Sequence, residues 1–295
     1  MEGNALHFFF LCICYLSLEL LLMKNAINVL FIFLLIALST CNRKAPTLFK
    51  KVDSAQSNIR FNNKIIENDS LSILDNEFFY NGAGVAVGDL NNDGLPDLFF
   101  TGNQVDNQLY LNRGNLTFEN ATLAAGIQKS NPLLWSSGVN IVDVNADGWM
   151  DIYICNTLRT DPNQRKNNLF IHQGIDDNGI PQFKDLGDAY GLDDDSYSSH
   201  AQFFDLDNDG DLDVFIGVNQ IEDIDPNVFQ NRQSETAILS IDRLYENRGS
   251  DSLGHPYFKD IPKKQISHFM GLVIAHWYKI LIMTVGLIFM CLMTI

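Results

Sequence analysis

Asp89-Leu90-Asn91-Asn92-Asp93-Gly94-Leu95-Pro96-Asp97 is the stretch that decides how this chain folds. Carboxylate or amide side chains stand at its positions 1, 3, 5 and 9, and glycine stands at position 6. Apolar runs flank it, Val85-Ala86-Val87 before and Leu98-Phe99-Phe100 after. The pattern returns as Asp143-Val144-Asn145-Ala146-Asp147-Gly148-Trp149-Met150-Asp151. It returns again as Asp205-Leu206-Asp207-Asn208-Asp209-Gly210-Asp211-Leu212-Asp213. An acidic turn held between apolar runs, three times over, marks a repeat protein.

The same script surrounds each copy. A short apolar strand enters the loop, as at 84–87 and 139–142, and a hydrophobic strand leaves it, at 98–101, 152–154 and 214–216. A third strand is expected at 107–112, 168–172 and 243–247, then a turn at Gly114, Gly174 or Gly249. A fourth carries a phenylalanine: Phe118, Phe183 or Phe258. Four short strands separated by turn residues read as one propeller blade. The expected fold is therefore all-β, a partial propeller of about three four-stranded blades over 81–127, 138–192 and 200–261, with apolar helical segments at both termini. The first aspartates fall at 89, 143 and 205, a longer period than the ~40–45 residues of common propeller repeats. The excess lies in connections such as 156–167 and 219–241, where binding surfaces are built.

The chemistry of the loops is that of a hard cation. Side-chain oxygens at positions 1, 3, 5 and 9, with a backbone carbonyl at position 7, suit calcium, which takes ~6–8 oxygen ligands in flexible geometry. Magnesium, with stricter octahedral demands, ranks second. The candidate ligands are Asp89, Asn91, Asp93, Leu95 and Asp97; Asp143, Asn145, Asp147, Trp149 and Asp151; and Asp205, Asp207, Asp209, Asp211 and Asp213. Eleven aspartates crowd these loops, and a bound dication is the simplest relief of their mutual repulsion. An EF-hand also begins D-x-[DN]-x-[DN]-G but needs a glutamate at position 12 and flanking helices. Position 12 here is Phe100, Ile154 or Ile216, so that reading is rejected. A metal-free Asp/Asn-Gly hairpin turn is the plain alternative, and three copies weigh against it.

The run Gly82-Ala83-Gly84-Val85-Ala86-Val87-Gly88-Asp89, continued through Asp97-Leu98-Phe99-Phe100, resembles an FG-GAP repeat of the VCBS type. The resemblance implies propeller blades like those of integrin α-subunits, with calcium in the loop between the first two strands. The wider script, Leu109-Tyr110-Leu111-Asn112 with a later Phe118 and Ala125-Gly126-Ile127, resembles exported bacterial proteins that end in an ASPIC/UnbV domain. It covers about residues 48–261. The chain departs from it with Asn at position 3 of two loops, and it stops short of a complete propeller.

The ends carry separate signals. Residues 23–41 form a positive start, an apolar run and small residues before Cys41, a signal peptide. Leu38-Ser39-Thr40-Cys41 resembles a lipobox, which implies lipidation of Cys41 and anchoring of an exported body to a membrane, as an outer-membrane, cell-surface or periplasmic lipoprotein. An uncleaved transmembrane anchor is the alternative. Residues 1–22 precede a complete signal and read as a spurious extension. Residues 42–80 read as a tether and lead-in, with a strand expected at Phe49-Lys50-Lys51-Val52. Residues 272–295 are almost purely apolar and long enough to span a bilayer. They also read as a frameshift product within 262–295. ATA-ATG-ACG-GTT-GGC, one permitted coding of Ile282 to Gly286, regroups to codons for Asn-Asp-Gly-Trp, the heart of a fourth acidic loop.

The formal net charge of −16 argues against nucleic acid as a partner. No nucleophile elbow, phosphate loop or H-E-x-x-H occurs, so a non-catalytic module for a protein or glycan ligand is expected; the alternative is a subunit or fragment of a secreted carbohydrate-active enzyme. His172 reads as structural, and His200 replaces the glycine-rich start of the other blades. Cys155, the lone cysteine of the body, reads as a small buried apolar residue.

Overall fold

The computed structural model describes residues 24, 49–69, 71–74, 78–129, 131–219, 241–250 and 254–261. Apart from Lys24, the readings at 1–22, 23–41 with Cys41, and 262–295 lie outside the described residues. Among the described residues, no helix is long and apolar enough to cross a membrane.

The described residues of the body form three four-stranded antiparallel sheets, each a simple up-and-down meander, as the repeat predicted. Blade 1 holds β1 (Val85–Gly88), β2 (Asp97–Phe100), β3 (Gln108–Asn112) and β4 (Phe118–Asn120). Blade 2 holds β5 (Trp135–Val142), β6 (Asp151–Thr157), β7 (Asn168–Ile175) and β8 (Pro181–Asp185). Blade 3 holds β9 (Ser198–Phe204), β10 (Asp213–Val218), β11 (Arg243–Ser250) and β12 (Pro256–Asp260). Among the described residues of the body, three single turns accompany the strands: α1 (Ser54–Ser57), capped by the Asp53 side chain, a 3-10 turn at Pro162–Gln164, and α2 (Gly187–Tyr190).

Alternation along β6 shows how the blades stack. Ile152 and Ile154 enter a core shared with Phe99, Leu109 and Leu111 of blade 1. Tyr153 and Cys155 point the other way, into a core shared with Val214, Ile216 and Phe258 of blade 3. Successive side chains of a strand face opposite sides of the sheet, so the central blade is buried on both faces and its second strand is a continuous apolar run. Cys155 is a free, fully buried thiol, and burial pushes its pKa well above the usual thiol range.

The innermost strands approach so closely that a side chain is excluded at one register position. A Cβ on Gly84 would lie 2.6 Å from the Ser137 carbonyl oxygen of the next blade. One on Gly138 would lie 2.5 Å from the Ser199 carbonyl oxygen. His200 holds the equivalent position in blade 3, its side chain exposed. On the other side of blade 1, Val85 and Val87 occupy the positions that in blades 2 and 3 pack against the preceding blade, yet they are 58% and 61% exposed. Part of that face is covered by the lead-in: Phe61 stacks on Phe100 at 5.0 Å, and the Arg60 N–H donates to the Tyr110 hydroxyl.

Two strand expectations change. No strand forms at 49–52, where Phe49 is 84% exposed. The strands of blade 2 run further than their apolar residues suggest, β5 beginning at Trp135 and β6 ending at Thr157. Backbone ladder bonds do not require apolar side chains, and the polar extension is tied in by side chains: the single Ser137 hydroxyl proton is shared between the Cys155 and Ser198 carbonyls, 3.0 and 2.9 Å from Oγ.

Candidate metal-binding loops

Each acidic loop joins the first two strands of its blade, where the sequence placed it. The turn is made by two left-handed residues. Position 6 is the expected glycine, with φ of 83°, 87° and 97° at Gly94, Gly148 and Gly210. Position 4 is also left-handed, at Asn92, Ala146 and Asn208; asparagine tolerates this conformation, alanine less so.

The structure separates four positions that the sequence treats alike. Position 9 is a latch. Asp97 is fully buried; its Oδ2 accepts from the Leu90 N–H at 2.9 Å and its Oδ1 from the Asn112 N–H at 2.7 Å. Asp151 does the same with Val144 and His172, and Asp213 with Leu206 and Asn247. One carboxylate thus ties the start of its loop to the end of the third strand. Burial, opposed by these hydrogen bonds, pushes Asp97 up to about 6 and Asp151 up to about 7, and it raises Asp213 as well.

Positions 1, 3 and 5 line the turn itself. Asp89 accepts from the Asp93 and Gly94 N–H groups, Asn91 Oδ1 from the Asp93 N–H, and Asp93 Oδ1 from the Leu95 N–H. Asp143, Asn145 and Asp147 repeat this network, with the Trp149 N–H donating to Asp147 Oδ1. In both loops the position-3 amide also donates to the position-5 carboxylate. In loop 3 Asp207 cannot donate. There one carboxylate oxygen each from Asp205, Asp207 and Asp209 lies within 4.8 Å of the others. Asp211 is pushed up to about 6 by burial and by Asp209 beside it, and its buried Oδ1 has no hydrogen-bond partner. The donor set is oxygen only, which fits a hard cation and not zinc or copper. Each carboxylate oxygen that accepts a backbone N–H retains a lone pair, so the turn network leaves the oxygens able to take an ion.

Sequence reasoning missed the residue that ends the third strand. Asn112 Oδ1 accepts from the Gly114 N–H while its amide donates to the Pro96 carbonyl. Asn247 acts likewise on Gly249 and Leu212. In blade 2 this place is held by His172, whose Nδ1 accepts from the Gly174 N–H at 2.8 Å. That fixes the tautomer with the proton on Nε2, which donates to the Leu90 carbonyl in blade 1's loop at 3.1 Å. His172 therefore joins two loops, and Trp149 stacks on it at 4.4 Å. Asn92 of loop 1 also donates to the Gly148 carbonyl of loop 2. The signal was present as Asn112-x-Gly114, His172-x-Gly174 and Asn247-x-Gly249, a side-chain acceptor two residues before a turn glycine.

Fold and loops together define an all-β repeat protein whose four-stranded sheets each carry an acidic loop after the first strand. Residues 89–154 match the family model of the FG-GAP-like repeat, so the chain carries an FG-GAP repeat. The match runs from the first aspartate of loop 1 to the second strand of blade 2. No curated protein matches the chain.

Proposed function

We propose that this chain is a calcium-stabilised, non-catalytic binding module, exported and held at a membrane through a lipid on Cys41, that recognises a protein or glycan. The observation that carries the calcium reading is the threefold recurrence of one oxygen-lined turn, with three carboxylates converging in loop 3. Asp89, Asn91 and Asp93, with their counterparts Asp143, Asn145, Asp147 and Asp205, Asp207, Asp209, would supply side-chain oxygens; Leu95, Trp149 and Asp211 would add position-7 carbonyls. Asp97, Asp151 and Asp213 would add the lone pairs their latch bonds leave over. Calcium would supply charge neutralisation, not chemistry. The binding reading rests on the FG-GAP repeat and on the stacking of the blades through two shared cores.

The test is thermal unfolding of the full chain in calcium and in chelator. A ligand that binds only the folded state stabilises it by about 2.7 kcal/mol at a hundredfold excess over Kd. A melting temperature several degrees higher in calcium is the expected result; identical curves would remove the metal role.

A further inference from the structure

The junction between loops 1 and 2 is built differently from the junction between loops 2 and 3. At the end of the third strand, Asn112 and Asn247 turn their amides back on their own loops, to the Pro96 and Leu212 carbonyls at position 8. His172 holds the same place in blade 2 and sends its Nε2–H across to blade 1, to the Leu90 carbonyl at position 2 of loop 1. Position 4 repeats the contrast. The Asn92 amide reaches the Gly148 carbonyl of loop 2, whereas loop 2 has Ala146 there, with no side-chain donor to send to loop 3. Among the described residues, side-chain hydrogen bonds join loop 1 to loop 2 and its supporting strand, and none joins loop 2 to loop 3.

We propose that loops 1 and 2 take up their ions as a coupled pair, with His172 as the coupling residue, while loop 3 fills independently. The proposal rests on the calcium reading of the loops and says how their occupancies are linked. The coupling runs through groups on which both ions would act. The His172 N–H donates to Asp151 Oδ1 at 2.8 Å and its ring stacks on Trp149, so two of its anchors belong to loop 2, at positions 9 and 7. Its Nε2–H holds Leu90, whose own N–H donates to Asp97, position 9 of loop 1. Asp151 and Asp97 are thus joined through His172 and Leu90, both buried.

An ion that fixes Asp151 and the Trp149 carbonyl fixes the ring, and the ring fixes the entry to loop 1. Part of the conformational freedom that loop 1 must surrender to its own ion is then already lost, which raises its affinity. Reciprocity makes the effect equal in the other direction. Charge does not reverse this. Each of the two loops carries three aspartates, so a filled loop stays net negative, and salt screens what acts between exposed groups.

The experiment is a terbium titration of the full chain in about 0.15 M salt, terbium being a calcium-sized probe whose emission is excited through a nearby tryptophan. Trp149 lies in loop 2 itself, and the emission lost in Trp149→Phe reports that loop. Asp89→Asn with Asp93→Asn removes two charges from loop 1 and keeps an acceptor oxygen at each position; Asp93→Asn alone is the milder version. The pair should move the loop 2 midpoint to roughly three- to tenfold higher terbium, the worth of one hydrogen bond. In a His172→Asn background the same pair should move it less than about twofold. Asparagine can still cap Gly174, as Asn112 caps Gly114; His172→Ser, which can cap through its hydroxyl, is the second background. Asp205→Asn with Asp209→Asn in loop 3 should leave the loop 2 midpoint within about twofold of wild type. An unmoved midpoint when loop 1 is emptied, a full shift that survives both His172 variants, or an equal shift from loop 3 each overturns the coupling and leaves the calcium reading standing. Absence of sensitised emission, together with melting curves that ignore calcium, removes the ion reading and this inference with it.

Discussion

Replacing Asp151 with asparagine is expected to change stability by an amount that depends on pH. The buried carboxylate accepts two backbone N–H groups, from Val144 at 3.1 Å and His172 at 2.8 Å. An asparagine keeps one acceptor oxygen and turns an amide toward the other N–H. The orphaned donor costs about 1–3 kcal/mol. Against this stands the cost of ionising the native group. Burial lifts Asp151 from 3.8 to about 7, so the fold binds its proton more tightly than the unfolded chain does. Its stabilising contribution is fully present below pH 4 and is lost as pH rises through 7. Between pH 4.5 and 7.5 the loss amounts to about 3 kcal/mol; the neutral asparagine suffers none of it. In chelator, Asp151→Asn should therefore be less stable than wild type at pH 4.5 and equal or more stable at pH 7.5. Urea unfolding followed by tryptophan fluorescence reads both. His172 contributes equally to both proteins, so it cancels in the difference. The same stability gap at the two pH values would refute the reasoning, because the carboxyl would then titrate alike in folded and unfolded chains.

Asp147→Asn tests the ligand positions instead. It keeps the oxygen that accepts the Trp149 N–H but gives up the exposed acceptor of the Asn145 amide, so stability in chelator should fall by no more than about 1 kcal/mol, while the calcium-induced rise in melting temperature shrinks. Gly138→Ala should destabilise by at least about 2 kcal/mol, since its Cβ would stand 2.5 Å from the Ser199 carbonyl oxygen. Gly148→Ala, left-handed but with open space around it, should cost only about 1 kcal/mol. Equal losses for the two alanines, measured by chemical denaturation, would show that the blades do not meet as described.

Much of the architecture was legible because the repeat carried its own controls. Leu98-Phe99-Phe100, Ile152-Tyr153-Ile154 and Val214-Phe215-Ile216 stand at one distance after three acidic turns, and all became second strands. What misled was polarity. Ser136 and Asn156 gave no apolar signal, yet they pair across β5 and β6 because the ladder is made by backbone groups. Phe49 gave an apolar signal, yet it is 84% exposed and forms no strand.

The amino-acid order alone determined the acidic loops, the four-strand period and the oxygen-rich, anionic chemistry of the turns, since these depend on residue type and spacing over short distances. Only the tertiary structure decided that Asp97, Asp151 and Asp213 are latches while their neighbours line the turn. Spacing is the same for both roles; burial is not, and burial arises only when the third strand folds back across the loop. The bond from His172 to Leu90 spans 82 positions. Such long-range juxtapositions come from the stacking of blades, which no local pattern encodes.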